Sequence, residues 1–140
     1  MDQLKGIFAT QKVHIAGIVE FKPKYGTIPP EELLQIDGYD SFINTSHQDP
    51  DTRGVIVYIK QHLKAQRVDN ELCSKFKDSV WLKIPTHNKS DLLVGCIYRS
   101  GTREKALKND KNLHEMIKHM ALNSGFKSVL IMGDFNHPGF

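Results

Sequence analysis

The chain has 140 residues, of which 39% are apolar and 25% charged, and its Lys and Arg outnumber Asp and Glu by 19 to 16. That length and balance allow one globular domain with a buried core and exclude a disordered tail, while the small positive excess neither requires nor opposes a polyanionic partner. No stretch approaches the roughly 18 consecutive apolar residues of a membrane span. The opening MDQLKGIFAT lacks a basic region followed by a continuous apolar one, so no secretory signal is read. Cys73 and Cys96 lie far apart without metal-ligand spacing, which fits two reduced thiols in an intracellular protein of the nucleus or cytoplasm.

In chain order, Asp2 can cap a helix whose apolar positions Leu4, Ile7 and Phe8 follow helical spacing. His14 to Val19 (HIAGIV) then reads as a buried strand. Lys22 to Pro30 is a loop punctuated by Pro23, Gly26, Pro29 and Pro30, and Gly38 turns the chain into a short strand from Tyr39 to Ile43. After a polar loop, Thr45 to Thr52, the runs GVIVYIK (54–60), SVWLKI (79–84) and LLVGCIY (92–98) are rich in β-branched and aromatic residues and bounded by turn formers, so each predicts a strand. A weaker strand near Lys64 to Val68 can pair with them, and Trp81 belongs in the core. Between Lys105 and Asn123, Leu107, Leu113, Met116, Ile117 and Met120 share one helical face, and Gly125 sits where a helix stops. Ser128 to Met132 predicts the last strand. Several strands with helices before the first and last of them imply an α/β protein with a mixed sheet.

The functional signal lies in what terminates these strands. HIAGIV ends in Glu20, LLVGCI in Tyr98, and VLIMG in Asp134, followed by Asn136. Open α/β folds place their ligands beyond the carboxyl ends of strands. A single carboxylate there is more often a solvated turn residue, but three such ends on one edge would make one site able to handle a metal or a phosphate.

GIVEFKPK around Glu20, RGVIVYIK (53–60), VGCIYRS (94–100) and MGDFNHP (132–138) resemble, in order and spacing, the motifs of the endonuclease/exonuclease/phosphatase family. The likeness is greatest to the apurinic-like endonuclease that precedes a reverse transcriptase in non-LTR retrotransposons, and it covers the chain from about Leu4 onward. It implies a partial four-layer α/β sandwich of the DNase I-like fold and metal-dependent hydrolysis of a DNA phosphodiester. It further implies that Glu20 binds Mg²⁺ or Mn²⁺, that Tyr98 stands beside the scissile phosphate, and that Asp134 and Asn136 handle the nucleophilic water and the phosphate.

Those residue types suit such work. Mg²⁺ takes one or two carboxylates and keeps several waters. A carboxylate can orient or deprotonate water, an amide can donate to a phosphate oxygen, and a phenol can donate to growing negative charge. Other residues carry less. Arg99 reads as a solvated flank rather than a phosphate contact, and His137 as a loop histidine beside the motif. His114 and His119 are not at the spacing of a helical zinc pair, and Arg103, Lys105, Lys108 and Lys111 read as a wet helix face rather than a DNA track.

Against the family pattern, the chain is expected to be an incomplete domain over residues 1–140. The first strand with its phosphate-binding asparagine would be missing, as would the carboxyl-terminal half with the catalytic histidine. The expectation is therefore the fragment of a target-site nicking endonuclease, inactive in isolation, with DNA as partner and a reverse transcriptase downstream in the full-length element. No membrane association or further protein partner is read. A phosphomonoesterase of the same superfamily and a catalytically dead binding module or relic are the alternatives.

Overall fold

The computed structural model describes residues 2–22, 30–44, 52–87, 90–99, 106–123 and 125–136. In order these form α1 (Asp2–Gln11), β1 (Ile15–Val19), α2 (Glu31–Leu34), β2 (Tyr39–Asn44), β3 (Val55–Lys60), a 3-10 turn (Gln61–Leu63), β4 (Gln66–Arg67), α3 (Glu71–Lys75), β5 (Ser79–Pro85), β6 (Asp91–Tyr98), α4 (Ala106–Lys118) running into a π-helical turn (His119–Asn123), and β7 (Ser128–Asp134). The strands make two sheets. The first is antiparallel in the order β1-β3-β2, and the second is mixed, β4-β5-β6-β7, with β6 and β7 parallel.

The two-residue period of a strand explains how four layers stack. In β3, Val55 and Val57 pack with Val80, Leu82, Cys96 and Tyr98 of the second sheet, and Ile59 with Ile84 and Val94. The alternate residues Ile56 and Tyr58 face the other way, onto Phe8 of α1, Leu34 of α2 and Ile36. β6 does the same in mirror image, turning Leu93 and Ile97 toward Trp81, Leu113, Met116 and Met120. Each central strand is covered on both faces, which is why its sequence is apolar throughout. The order is helices, sheet, sheet, helices, an α/β sandwich of the DNase I-like kind.

Trp81 is 1% exposed, as its core placement predicts, and lies over its cross-strand partner Gly95, where a Cβ would come within 2.4 Å of the ring. Its indole N–H donates to Met116 Sδ at 3.3 Å. On α4 and the π-helical turn that follows it, Leu113, Met116 and Met120 are buried while Lys111, His114 and Lys118 are exposed, so the apolar stripe faces the sheet as its spacing predicts.

Several expectations need correction. Helix α1 takes in Asp2 instead of following it as a cap, and Ile7 is 51% exposed, so Phe8 anchors this helix, with its ring 4.9 Å from that of Tyr39 and 5.5 Å from that of Tyr58. The weak strand near 64–68 shrinks to Gln66–Arg67, paired with β5. The short helices α2 and α3 were not expected, since four or five residues carry too little periodicity to read. Much of the loops at 22–30 and 45–52 lies outside the described residues.

Candidate active site

Glu20, Tyr98 and Asp134 stand at the carboxyl ends of β1, β6 and β7, and the fold brings these ends to one rim. Tyr98 and Asp134 are register partners in the parallel pair. Tyr98 belongs to the set of β6 residues that face the first sheet, so its hydroxyl reaches across the sheet interface and donates to Glu20 Oε1 at 2.5 Å. Tyr98 is buried, whereas Glu20, Asp134 and Asn136 are exposed.

The backbone there adopts uncommon conformations. Glu20 sits at φ +56, a left-handed conformation that disfavours residues with a Cβ, and is held in it by its N–H donating to Gly54 O at 3.0 Å. Gly54, itself at φ +86, lies under Phe21, whose ring a Cβ would meet at 2.4 Å. The Asp78 carboxylate accepts the N–H groups of Gly54 at 3.0 Å and Arg53 at 3.2 Å, tying the start of β3 to the lead-in of β5 across the two sheets. At Gly133 a Cβ would lie 1.9 Å from Ile97 O, so glycine is required where β7 runs into Asp134.

Arg53, to which the sequence assigned no role, places Nη2 3.6 Å from Glu20 Oε1. Glu20 Oε1 thus meets both the Tyr98 hydroxyl and the Arg53 guanidinium. Burial, and then the hydrogen bond and charge of Glu20, raise the pKa of Tyr98, with Arg53 opposing and Asp134 adding to the rise. Tyr98 is therefore a protonated donor at neutral pH.

Asp134 Oδ1 accepts the backbone N–H of Asn136 at 3.2 Å, and Asn136, at φ +44, donates Nδ2 to Arg99 O at 2.8 Å. Arg99 is not the solvated flank its sequence position suggests. Its side chain is 11% exposed and forks onto Asp110 of α4, with Nε to Oδ1 at 2.6 Å and Nη2 to Oδ2 at 2.9 Å. No sequence signal pairs these residues.

Among the described residues no group of three or more His, Cys, Asp or Glu side chains could hold a metal, and no helix is long and apolar enough to cross a membrane. His114 and His119 are accordingly in no such group. The exposed Glu20 carboxylate suits a hexacoordinate Mg²⁺ that draws most of its shell from water and substrate. Cys73 and Cys96 are free thiols, and burial raises the pKa of both, that of Cys96 to about 11. His137, Arg103 and Lys105 lie outside the described residues.

The sandwich and the rim at its strand ends define a DNase I-like fold. Solved structures with this fold include the endonuclease domain of TRAS1, a telomere-specific non-LTR retrotransposon, at 19% identity and a TM-score of 0.64, matched over 96% of this chain and 52% of that one. The AP endonuclease LMAP from Leishmania major matches at 14% identity and a TM-score of 0.66 over 94% and 48%, and a humanised D. rerio TDP2 at 14% and 0.64 over 97% and 54%. These are members of the endonuclease/exonuclease/phosphatase superfamily. At such identities the likeness is one of fold, and the chain spans about half the length of the structures it matches. No family model and no curated protein matches the chain.

Proposed function

We propose that this chain carries part of the active centre of a divalent-metal-dependent DNA phosphodiesterase. The observation behind the reading is the meeting of Glu20, Tyr98 and Asp134 at one rim, with Tyr98 donating to Glu20 at 2.5 Å. Bound Mg²⁺ or Mn²⁺ supplies Lewis-acid polarisation of a phosphate oxygen and neutralises charge on the departing alkoxide. Glu20 would hold it through its carboxylate. Tyr98 keeps its proton and can turn its hydroxyl from Glu20 to a phosphate oxygen. Asp134 orients a water and accepts its proton. Asn136 gives one side-chain amide hydrogen to Arg99 O and can offer the other to a phosphate oxygen.

DNA is the proposed substrate, and nicking of a target site ahead of a reverse transcriptase the proposed setting. The strand-end motifs and the fold shared with the TRAS1 endonuclease domain support this reading. With a single strong carboxylate, the rim binds Mg²⁺ weakly until a phosphate is present. The 140-residue chain alone does not turn over DNA, because a general base misplaced by about 1 Å already loses on the order of 100-fold, and the chain spans about half of each matched structure.

The test is a supercoiled-plasmid assay with Mg²⁺ on the purified chain beside Asp134→Ala, with release of phosphate from small esters measured in parallel. No nicking is expected from the chain alone. Nicking that disappears in Asp134→Ala would refute the inactivity while supporting the site. Phosphate release without nicking would favour the phosphomonoesterase.

A further inference from the structure

Arg99 lies directly after Tyr98, where an arginine could reach a phosphate, yet its guanidinium is turned inward and its three nitrogens are all engaged. Nε and Nη2 fork onto the Asp110 carboxylate at 2.6 and 2.9 Å, and Nη1 donates to the backbone carbonyls of Asn136 at 2.9 Å and Phe135 at 3.4 Å. In return Asn136 Nδ2 donates to Arg99 O at 2.8 Å, and Arg99 N donates to Asp134 O at 2.8 Å. One residue thus contacts Asp134, Phe135 and Asn136 in succession, where the chain leaves the sheet and Asn136 enters a left-handed conformation. The fourth partner is Asp110, which lies on α4.

We propose that Arg99 is a positioning residue. It transmits the placement of α4, through Asp110, to the turn that presents Asp134 and Asn136, and it does not itself touch substrate. This rests on the functional reading above for what the turn does, but the clamp can be tested without it. A lysine cannot replace the planar fork, since it offers one point charge where the geometry uses two parallel N–H donors on the carboxylate and a third nitrogen on the carbonyls. The Asp110 fork matters for the turn because it fixes the guanidinium plane that aims Nη1 at Asn136 O.

The experiment uses the full chain, isotopically labelled, with the side-chain amide of Asn136 as the probe. The wild type should show one Nδ2 proton protected from solvent exchange by its bond to Arg99 O. In Asp110→Asn that protection should fall by about tenfold, the scale expected for loss of one charge-assisted hydrogen bond. The methyl signals of Leu113 and Met116 on the same helix and the amides of β1 and β3 should stay unchanged. Arg99→Lys should show the same loss, and Asp110→Glu, which keeps a carboxylate, should retain the protection. An Asn136 amide unaffected by Asp110→Asn would overturn the proposal, and so would a loss matched by equal loosening of β1 and β3, which reports general destabilisation.

A second arm adds Mn²⁺ alone and follows paramagnetic broadening. If the turn is positioned by the clamp, Asp110→Asn should weaken broadening at Asp134 and leave that at Glu20 unchanged, a split that a purely structural ion pair would not produce. Equal broadening at both residues in wild type and Asp110→Asn would contradict the positioning role. If the wild type shows no broadening at the rim even when Mn²⁺ is raised far enough to fill a weak site, the metal-site reading fails, while the Asn136 amide still decides on the clamp.

Discussion

Tyr98 stays protonated because it is buried and because its hydroxyl donates to a carboxylate, and this has a measurable cost at alkaline pH. Its pKa in the fold is raised above the ordinary tyrosine value near 10. A raised value means the folded state holds its proton more tightly, so the stabilisation is complete below about pH 10 and is lost as pH climbs above it. Unfolding free energy should therefore fall above that pH, and Tyr98→Phe should remove part of the fall. Tyr58, Cys73 and Cys96, also raised by burial, add to the fall by the same linkage. Denaturant titrations across the alkaline range would check this, and an identical slope in Tyr98→Phe would contradict it. Arg53 yields a second expectation. A cation 3.6 Å from Glu20 Oε1 opposes a divalent metal on the same carboxylate, so Arg53→Gln should tighten Mg²⁺ binding several-fold, the exposed setting screening any larger effect. Calorimetric titration measures it. Glu20, Tyr98 and Asp134 could be picked out as candidates in the sequence because each directly follows an apolar run, and Asn136 because it stands two positions after Asp134. Arg53, Arg99 and Asp110 could not, because their roles depend on partners 33, 37 or 11 positions away that folding brings together, and local patterning carries no trace of that. The Arg53 case shows it plainly: α2, β2 and their connections are inserted between it and Glu20.

At the scale of elements, β7 is the most constrained strand on one side and the least protected on the other. It pairs in parallel with β6, and at Gly133 the approach is so close that Gly133→Ala should cost about 3 kcal/mol or more, because the obstruction is the Ile97 carbonyl of the sheet itself and not a flexible side chain. Thermal unfolding of that variant is the check. Among the described residues no strand pairs with the other edge of β7, and Leu130 on it is 47% exposed. Open, apolar edges invite association. Leu130→Lys should then lower self-association in sedimentation experiments at little cost in stability, and unchanged sedimentation would show that this edge is not responsible. The long strands were readable because β3, β5 and β6 are apolar runs with β-branched and aromatic residues. β4 has two residues and α2 four, and elements of that size are set by their neighbours more than by their own sequence.

For the molecule as a whole, the α/β class and a mixed sheet could be read from the order of the elements, while the four-layer sandwich with its two sheets was implied by the family resemblance of the motifs and not by local patterning. GVIVYIK and LLVGCIY look alike because both are covered on two faces, and nothing local says that one lies in an antiparallel sheet and the other in a mixed one. That choice is made by long-range pairing, Val19 with Val55 in one sheet and Tyr98 with Asp134 in the other. Stacking of the two sheets then puts Tyr98 over Glu20 and creates the rim site. On the proposed function, this rim receives a phosphodiester through a metal held by Glu20. The most direct test is binding of a short DNA duplex to the full chain by fluorescence anisotropy, with and without Mg²⁺, in wild type and Glu20→Gln. Binding that requires Mg²⁺ and is lost in Glu20→Gln is the predicted result. Binding that ignores the metal, or that survives Glu20→Gln undiminished, would contradict it.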